Sequence, residues 1–371
     1  MTRLAFLCLV TTCYLAGAAF AAAPRVDAHA WLVADAASGD VLAQHDATVR
    51  VPIASITKLM TVLVVLDHLK LGHVVTVDPQ VTSAGESLGL RPGEELTVRD
   101  LVKGALIQSA NDAADALALA VAPSFPSFAN LMNAKARALG LRDTSFVRPD
   151  GLDAPGEYST ARDVMRLARA AMRRPIIRQT VREREDVIGG GRVLHTWNDL
   201  LGVVPGVIGV KTGHTALAGW SQVAAVRDRG LTIYATILGS PSRSKRNADL
   251  ERLLRYGLDQ YRVVPAIGAG HVYARVLLPY GKPALPLVVR KPQLDLVRLG
   301  HSLTERVVAR SFVQLPVHRG QQLGRVEVWA GHRLLGTRPL VAVRSVARPG
   351  PASRIRWYAT RTAHHLLAFF R

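Results

Sequence analysis

Cysteine is nearly absent from this 371-residue chain, which has only Cys8 and Cys13. Both lie in residues 1–21, which have the pattern of a secretory signal peptide: Arg3 precedes an apolar stretch, and Ala19-Phe20-Ala21 is an A-x-A cleavage site. Cleavage there leaves a mature chain without cysteine. That excludes disulfides, thiol catalysis and cysteine-ligated metal sites in the mature protein.

The same segment leaves two alternatives open. One is an uncleaved membrane anchor, although the apolar residues 4–19 are short for a bilayer span. The other is lipidation, since Val10-Thr11-Thr12-Cys13 loosely resembles a lipoprotein cleavage box, in which Thr12 is large for the residue before the cysteine. We expect a cleaved signal and an exported protein.

Acidic residues are also scarce: 28 Asp and Glu stand against 47 Lys and Arg, and the formal net charge is +19. A basic exported protein is attracted to anionic lipid surfaces and acidic polymers. Export excludes nucleic acid as its partner. The sequence indicates neither a metal ion nor a cofactor.

The mature chain divides into three parts by its residue patterns. Residues 22–262 mix helical and strand patterns, and residues 263–348 carry short β-rich runs punctuated by Gly and Pro. Residues 349–371 are basic and amphipathic, which is typical of a helix at a membrane surface. A disordered basic tail, or a helix packed on the β domain, is the alternative for this last part.

The predicted C-terminal helix has two distinct faces. The apolar face has Ile355, Tyr358, Ala359, Leu366, Phe369 and Phe370. The cationic face has Arg354, Arg361, His364, His365 and Arg371.

Local patterns also predict individual elements. Helices are expected at residues 59–71, 101–121 and 161–172. Strands are expected at residues 30–34, 41–42, 207–210, 231–238, 272–278, 285–289, 311–317 and 325–329. Ser38-Gly39-Asp40 is expected to be a hairpin turn, and the helix at 59–71 is expected to be buried because it is apolar on nearly every face.

Ser55-Ile56-Thr57-Lys58 places a hydroxyl and an amine one turn apart at the start of an apolar helix. A serine hydroxyl is a weak nucleophile until a base takes its proton. Lys58 can be that base only if its charged form is disfavoured, and burial against the helix would lower its pKa. The helix N-terminus favours the negative charge that develops at Ser55. These residues are the predicted nucleophile and base of an acyl transfer.

The same spacing recurs at Ser242-Arg243-Ser244-Lys245, so the motif alone is not specific. This second copy lies among charged residues and heads no apolar helix. We interpret it as a solvated loop.

Ser109-Ala110-Asn111 supplies a second hydroxyl and a side-chain amide. Ser109 can relay a proton to the leaving amine, and Asn111 can hold the substrate amide or Lys58. A plain helix cap is the alternative, because Ser and Asn favour that position.

Lys211-Thr212-Gly213 follows an apolar strand pattern. Lys211 adds positive charge, Thr212 and Thr215 offer hydroxyls to a terminal carboxylate, and Gly213 allows a substrate backbone to come close. The backbone N–H groups of Ser55 and His214 can then form an oxyanion hole.

In these motifs the chain resembles the low-molecular-mass penicillin-binding proteins, the serine D-alanyl-D-alanine carboxypeptidases. The resemblance extends over about residues 25–345. The stretches that carry it are Pro52-Ile-Ala-Ser-Ile-Thr-Lys-Leu-Met-Thr61, Gly104-Ala-Leu-Ile-Gln-Ser-Ala-Asn-Asp-Ala113, Gly151-Leu-Asp-Ala-Pro-Gly-Glu-Tyr-Ser-Thr-Ala-Arg-Asp163, Gly209-Val-Lys-Thr-Gly-His-Thr215 and Leu315-Pro-Val-His-Arg-Gly320.

The resemblance implies an α+β fold. A transpeptidase-like catalytic domain, with a mainly antiparallel five-stranded sheet flanked by helices, would precede a small all-β sandwich and an amphipathic membrane anchor. It also implies that Ser55 is acylated by the penultimate D-Ala of a peptidoglycan muropeptide, with release of the last D-Ala and inhibition by β-lactams. Arg246 is at the position of a basic residue near the site in related enzymes. The expected location is the periplasm, at the outer face of the inner membrane.

Three other activities remain open at this point. A class A β-lactamase needs a carboxylate to activate the deacylating water, and Glu157 is the nearest candidate. A DD-endopeptidase that cuts cross-links is closer, although related endopeptidases usually lack the β domain. A non-catalytic penicillin-binding protein would keep Ser55 without turning over peptide.

Overall fold

The computed structural model describes residues 6–13, 22–81 and 85–369. It divides into two compact units, one of residues 22–259 and the other of residues 260–369 together with residues 6–13. The first strand, β1 (Phe6–Cys13), pairs antiparallel with residues 303–310 of the second unit. The rest of the predicted signal peptide lies outside the described residues.

The first unit is a sheet with helices on it. Its strands are β2 (Ala30–Asp35), β3 (Val41–His45), β4 (Val74–Thr76), β5 (Glu95–Thr97), β6 (Glu185–Ile188), β7 (Arg192–His195), β8 (Val207–Thr215), β9 (Gly219–Asp228) and β10 (Leu231–Ser240). Its helices are α1 (Lys58–His68), α2 (Val98–Lys103), α3 (Asn111–Leu119), α4 (Phe125–Ala138), α5 (Ala161–Ala171), α6 (Pro175–Thr180) and α7 (Arg243–Asp259).

The main sheet has the strand order β3-β2-β10-β9-β8, and every neighbouring pair is antiparallel. The predicted hairpin before β3 is confirmed: Asp35 Oδ1 accepts a hydrogen bond from Ala37 N, and Gly39 has a φ of +80° that glycine adopts without strain. Strand β8, which carries Lys211-Thr212-Gly213, lies at the edge of the sheet. One side of this strand is therefore open to an extended ligand.

The predicted buried helix is confirmed as α1, in which every residue from Lys58 to Val65 is buried. It ends at His68 rather than at Leu71, because Leu69 has an extended backbone (φ −122°, ψ 147°). A helix that is hydrophobic all round is buried by its neighbours on every side. Here α1 contacts α3, α4 and α5, so the residues at its N-terminus are held in the core.

The prediction of continuous helix over residues 101–121 is wrong. After α2 the chain makes a π-helical turn (Gly104–Gln108), and Ser109 is left-handed with a φ of +64°. The helical pattern of Ala and Leu continues on both sides of this break. Long-range contacts hold the break in place, since Asn111 N donates to the carbonyl oxygen of Glu86 at 2.7 Å.

The second unit is rich in strands. These are β11 (Tyr261–Ile267), β12 (Val272–Val276), β13 (Leu285–Val288), β14 (Gln293–Arg298), β15 (Leu303–Arg310), β16 (Gln322–Ala330) and β17 (Arg333–Ala342). A sheet of order β1-β15-β16-β17-β13-β12 is accompanied by the ribbon β11-β14. The ribbon packs against it, since β11 contacts β16 and β14 contacts β17.

The strand predicted at residues 311–317 is wrong. This segment makes isolated bridges, from Phe312 to Leu277 and from Val317 to Val346, and Pro316 cannot donate to a ladder. The chain ends in helix α8 (Pro351–Phe369). Among the described residues, no helix combines the length and the apolar character that crossing a membrane requires.

Candidate active site

Ser55 lies in a tight 3-10 turn (Ala54–Thr57) that leads directly into α1. The turn is held close to two glycines. A Cβ atom on Gly151 would lie 2.2 Å from the carbonyl oxygen of Ala54, and one on Gly213 would lie 3.2 Å from the backbone nitrogen of Ser55. Only glycine permits such close approach of two backbones. The turn is thereby fixed against the edge strand β8.

Lys58 Nζ makes three hydrogen bonds inside the protein. Its partners are Ser55 Oγ at 2.8 Å, Asn111 Oδ1 at 2.7 Å and the carbonyl oxygen of Asp150 at 2.6 Å. A neutral amine has two N–H donors and one lone pair. The Asn111 and Asp150 oxygens can only accept, so they take the two donors. The lone pair of neutral Lys58 is thereby directed at the Ser55 hydroxyl.

Burial shifts the proton affinity of this lysine. Lys58 is fully buried, and desolvation lowers its pKa from 10.5 to about 8 against the opposing attraction of nearby carboxylates, first of all Asp150. A substantial fraction of the amine is therefore neutral just above neutral pH. The side chain has both the position and the protonation equilibrium that a general base needs.

Ser109 and Lys211 form a second serine–lysine pair. Lys211 Nζ donates to Ser109 Oγ at 2.8 Å and to the carbonyl oxygen of Thr212 at 3.0 Å. Lys211 is also buried, and desolvation followed by the repulsion of Lys58 lowers its pKa well below the usual value. Ser109 is not the N-cap of α3, because Ala110 occupies that position; it is the C-terminal cap of the preceding π-helical turn.

A cavity of about 150 Å³ opens beside Ser55. It is lined by Ser55, Glu86, Ser109, Trp197, Thr212, Gly213, His214, Trp220, Arg243 and Arg246. Four predicted residues of the edge strand and of α7 therefore line it together with both predicted serines. Lys58, Asn111 and Lys211 do not line it. Lys58 contacts Ser55 and Asn111, and Lys211 contacts Ser109.

Arg246 is the buried cation of this cavity. Its guanidinium lies 3.3 Å from Asp199 Oδ2 and 5.6 Å from the centre of the Trp220 ring. Burial lowers its pKa to about 10, so it remains charged at neutral pH. Trp220 also stacks on His214 at 3.9 Å between ring centres, which orients that side chain at the end of β8.

Thr215 is placed differently from its prediction. Its hydroxyl donates to Asp153 Oδ1 at 2.6 Å and accepts from Ala218 N at 3.1 Å. It lines a neighbouring cleft with His29 and Trp220 and does not line the cavity beside Ser55. In this arrangement the Thr215 hydroxyl closes the turn after β8.

The second serine–lysine motif is exposed but not a loop. Ser242 Oγ accepts from Lys245 N at 3.2 Å, so the serine caps the start of α7. Lys245 Nζ lies 3.5 Å from Asp27 at the surface. Arg246 follows directly in this helix, which explains why the capping segment lies next to the cavity.

Several residues of the site carried no recognisable signal in the sequence. Asp150 contributes only a carbonyl oxygen, which any residue could supply. Trp197 and Arg243 form a wall in which the guanidinium lies 5.1 Å from the indole centre, and Asp199 binds Arg243 through both carboxylate oxygens. Local patterns do not show such contacts, because they join the segment before β8 to the start of α7.

Known proteins are similar to this chain over most of its length. Residues 18–242 match the family model described as D-alanyl-D-alanine carboxypeptidase. The chain is 32% identical to D-alanyl-D-alanine carboxypeptidase DacC of Escherichia coli, over 95% of this chain and 92% of that protein. It is 30% identical to DacF of Bacillus subtilis, over 84% of each.

Solved structures share the fold. D-alanyl-D-alanine carboxypeptidase DacD of Francisella tularensis matches 88% of this chain and 95% of its own, with a TM-score of 0.63 at 24% identity. Ampicillin-bound penicillin-binding protein D2 of Listeria monocytogenes matches 62% of this chain and 98% of its own, with a TM-score of 0.58 at 30% identity. The expected α+β fold is confirmed, and the chain belongs to the D-alanyl-D-alanine carboxypeptidase family of serine-type enzymes.

Proposed function

We propose that Ser55 is the nucleophile and Lys58 the general base of a D-alanyl-D-alanine carboxypeptidase that trims peptidoglycan pentapeptides. Neutral Lys58 takes the proton of Ser55 while Oγ attacks the carbonyl carbon of the penultimate D-Ala. The backbone N–H groups of Ser55 and His214 stabilise the oxyanion. The proton passes to the leaving nitrogen through Lys58 or Ser109, the C–N bond breaks, and D-Ala departs. Water then hydrolyses the ester on Ser55.

One observation carries this proposal: the buried amine of Lys58 lies 2.8 Å from Ser55 Oγ, and its two other partners are acceptors. Proton transfer needs this distance and this orientation. The open edge of β8 supports the same assignment, since a peptide can add to it as a further strand.

The cationic end of the cavity suits the terminal carboxylate of the substrate. Arg246 stays charged, and the Thr212 hydroxyl lies in the same cavity wall. Charge-assisted hydrogen bonds of this kind are stronger than neutral ones. We assign the carboxylate of the last D-Ala to these two side chains, with Lys211 behind them.

The same pocket accounts for the expected sensitivity to β-lactams. A β-lactam presents a carbonyl to Ser55 and a carboxylate to Arg246, and ring opening leaves the drug attached as an ester. Because the lactam nitrogen remains tethered, it does not diffuse away as D-Ala does. The resulting acyl-enzyme is expected to be long-lived.

A muropeptide digest tests the activity directly. Purified protein should convert pentapeptides to tetrapeptides with release of free D-Ala, whereas an endopeptidase would convert cross-linked dimers to monomers. Ser55→Ala should lose both D-Ala release and labelling by a fluorescent penicillin, and Ser242→Ala should retain both. Labelling of Ser55→Ala at the wild-type level would overturn the nucleophile assignment. Labelling without D-Ala release by the wild type would indicate a non-catalytic binding protein.

We also propose that the protein is exported and held at the outer face of the inner membrane by α8. Ile355 and Tyr358 are 69% and 56% exposed, although they are large and apolar or aromatic. From Arg344 to the C-terminus the chain has six arginines and no acidic residue. Such a helix binds anionic bilayers by apolar burial and by charge.

The start of α8 is anchored by aromatic contacts within the second unit. Tyr280 meets Trp357 and Tyr358 edge-on, at 5.6 Å and 6.2 Å between ring centres. Deletion of residues 353–371 should move the protein from membrane to soluble fractions. Ile355→Glu with Tyr358→Glu should do the same in part, whereas Val203→Glu, on an exposed apolar residue of the first unit, should not. Membrane association of the deletion variant would contradict the proposal.

A further inference from the structure

Asp115 is a buried carboxylate for which the mechanism above has no use. It lies on α3 four residues after Asn111, so it occupies the same helix face one turn further along. That face packs towards α1, since Asn111 Oδ1 is 2.7 Å from Lys58 Nζ and the two helices are in contact. Asp115 therefore lies on the side of α3 that faces the catalytic amine.

The carboxylate of Asp115 is buried but incompletely hydrogen-bonded. Asp115 is 2% exposed, and among the described residues its Oδ1 atom has no hydrogen-bond partner. The neighbouring Asp112, by contrast, accepts hydrogen bonds from Ser87 Oγ and from the backbone of Leu88 and Leu90. Asp112 therefore has a structural task that its hydrogen bonds account for. Burying an acid with an unused oxygen costs free energy and calls for a functional explanation.

Charged side chains influence both Asp115 and Lys58. Asp115 interacts electrostatically with Asp150 and Arg148 of the segment after α4, with Lys58 of α1 and with Asp112 of its own helix. Burial, followed by the repulsion of Asp150, raises the pKa of Asp115 to about 7.

Lys58 is faced in turn by Asp150, Asp115, Glu86 and Glu157, each of which raises its pKa against the larger effect of burial. The charge of Lys58 in turn lowers the pKa of Lys211. Asp150 exerts the largest of these attractions although Arg148 binds both of its oxygens, and Glu157 accepts a hydrogen bond from Thr57.

We propose that Asp115 is a positioning residue that stabilises the protonated form of Lys58 during acylation and so sets the pH range in which the enzyme works. The inference rests on the proposed role of Lys58 as the base. When the proton moves from Ser55 Oγ to Lys58 Nζ, a positive charge appears in a dry pocket. Ionised Asp115 attracts that charge through space and neither gains nor loses a proton in the step.

Asp115 therefore has two opposing effects on Lys58: it lowers the fraction of neutral amine at a given pH, and it raises the affinity of that amine for a proton. With Asp115 ionised, Lys58 holds its proton more tightly, which delays the neutral form to higher pH but makes the amine a stronger base. Without the carboxylate the amine is neutral at lower pH and accepts the serine proton less readily. The charge of Asp115 thus shifts the acid limb of the pH–rate profile for acylation to higher pH and raises the plateau rate.

The test is the pH dependence of the acylation rate, with a fluorescent penicillin on the full chain, for the wild type, Asp115→Asn and Asp115→Ser. Both variants should shift the midpoint of the acid limb about one pH unit lower, as expected for the loss of an opposite charge that raises the pKa of Lys58, and should lower the plateau rate. The matched control is Asp249→Asn, another buried acid, which pairs with Arg252 in α7. It should leave the midpoint unchanged.

The outcomes separate the possible failures. Midpoints of both folded variants equal to the wild-type value would overturn the proposal, because a purely structural role changes stability and not the titration. If one variant does not fold, the other decides. Acylation of Lys58→Ala at the wild-type rate would instead overturn the assignment of the base itself.

Discussion

Lys211 Nζ lies 2.8 Å from Ser109 Oγ, so the second and third motifs of the chain meet in one hydrogen bond. The first motif has the same pairing between Lys58 and Ser55. Two buried lysines therefore lie next to the two serines of one cavity, and the charge of Lys58 lowers the pKa of Lys211. Both serines line the cavity in which we place the scissile bond.

Replacement of Ser109 should impair acylation more than folding. In Ser109→Ala, Lys211 keeps the carbonyl of Thr212 as acceptor, but the relay to the leaving nitrogen is lost. Loss of a proton relay typically costs about 10²–10⁴-fold in rate. We expect release of D-Ala from pentapeptide to slow by about 100-fold at a melting temperature close to the wild-type value. A rate within threefold of wild type would rule out Ser109 as the relay.

The rate of acylation should rise with pH up to about 8. Lys58 must be neutral to act as a base, and burial brings its pKa down from 10.5 to about 8. At pH 6, two units below this value, about 1% of the amine is neutral. The second-order rate constant for a penicillin should therefore be about 100-fold lower at pH 6 than on the plateau. A flat profile from pH 6 to pH 9 would contradict this.

Glu157 should stabilise the fold and not activate the deacylating water. Its carboxylate accepts from Thr57 Oγ1 at 2.9 Å and from Arg148 N at 3.0 Å, and it does not line the cavity. Glu157→Gln should lower the free energy of unfolding by about 1–3 kcal/mol, because buried donors lose an acceptor. The half-life of the penicilloyl-enzyme should remain within twofold of wild type. A strongly prolonged half-life would support the β-lactamase interpretation.

Arg246 should determine the preference for a free terminal carboxylate. We expect Arg246→Ala to lower kcat/KM for a pentapeptide about 10- to 100-fold, the range of one lost hydrogen bond to a charged group. For the same peptide with a C-terminal amide the loss should be much smaller. Arg255→Ala, which removes an exposed guanidinium of the same helix outside the cavity, is the matched control. Equal losses on both peptides would show that Arg246 acts on the fold instead.

The sequence predicted the elements whose patterns are local. Alternating strands, the hairpin at Ser38-Gly39-Asp40 and the buried helix α1 follow from periodicity and turn chemistry. The break at Ser109 could not be predicted, because Ala and Leu favour helix on both sides and the break is held by Glu86 and Lys211, which are distant in the chain. The predicted C-terminal end of α1 was wrong, because Leu69 and Leu71 continue the apolar pattern but do not continue the helix.

The same division between local patterns and long-range contacts applies to the candidate active site. The three motifs named the groups that touch Ser55, Ser109 and the edge strand. Contacts made through the backbone, such as the carbonyl of Asp150, leave no trace in residue type. Thr215 shows the converse: its residue type fits the predicted role, but its hydroxyl donates to Asp153, a partner that the local sequence pattern does not predict.

The two glycines around the nucleophile turn limit how the enzyme can change. A side chain on Gly151 would collide with Ala54, and one on Gly213 would lie 2.7 Å from the carbonyl oxygen of Ile53. Selection for drug resistance therefore has little freedom next to Ser55. Substitutions that reduce acylation by an antibiotic should accumulate instead at Trp197 and Arg243, which line the cavity but are not part of the turn.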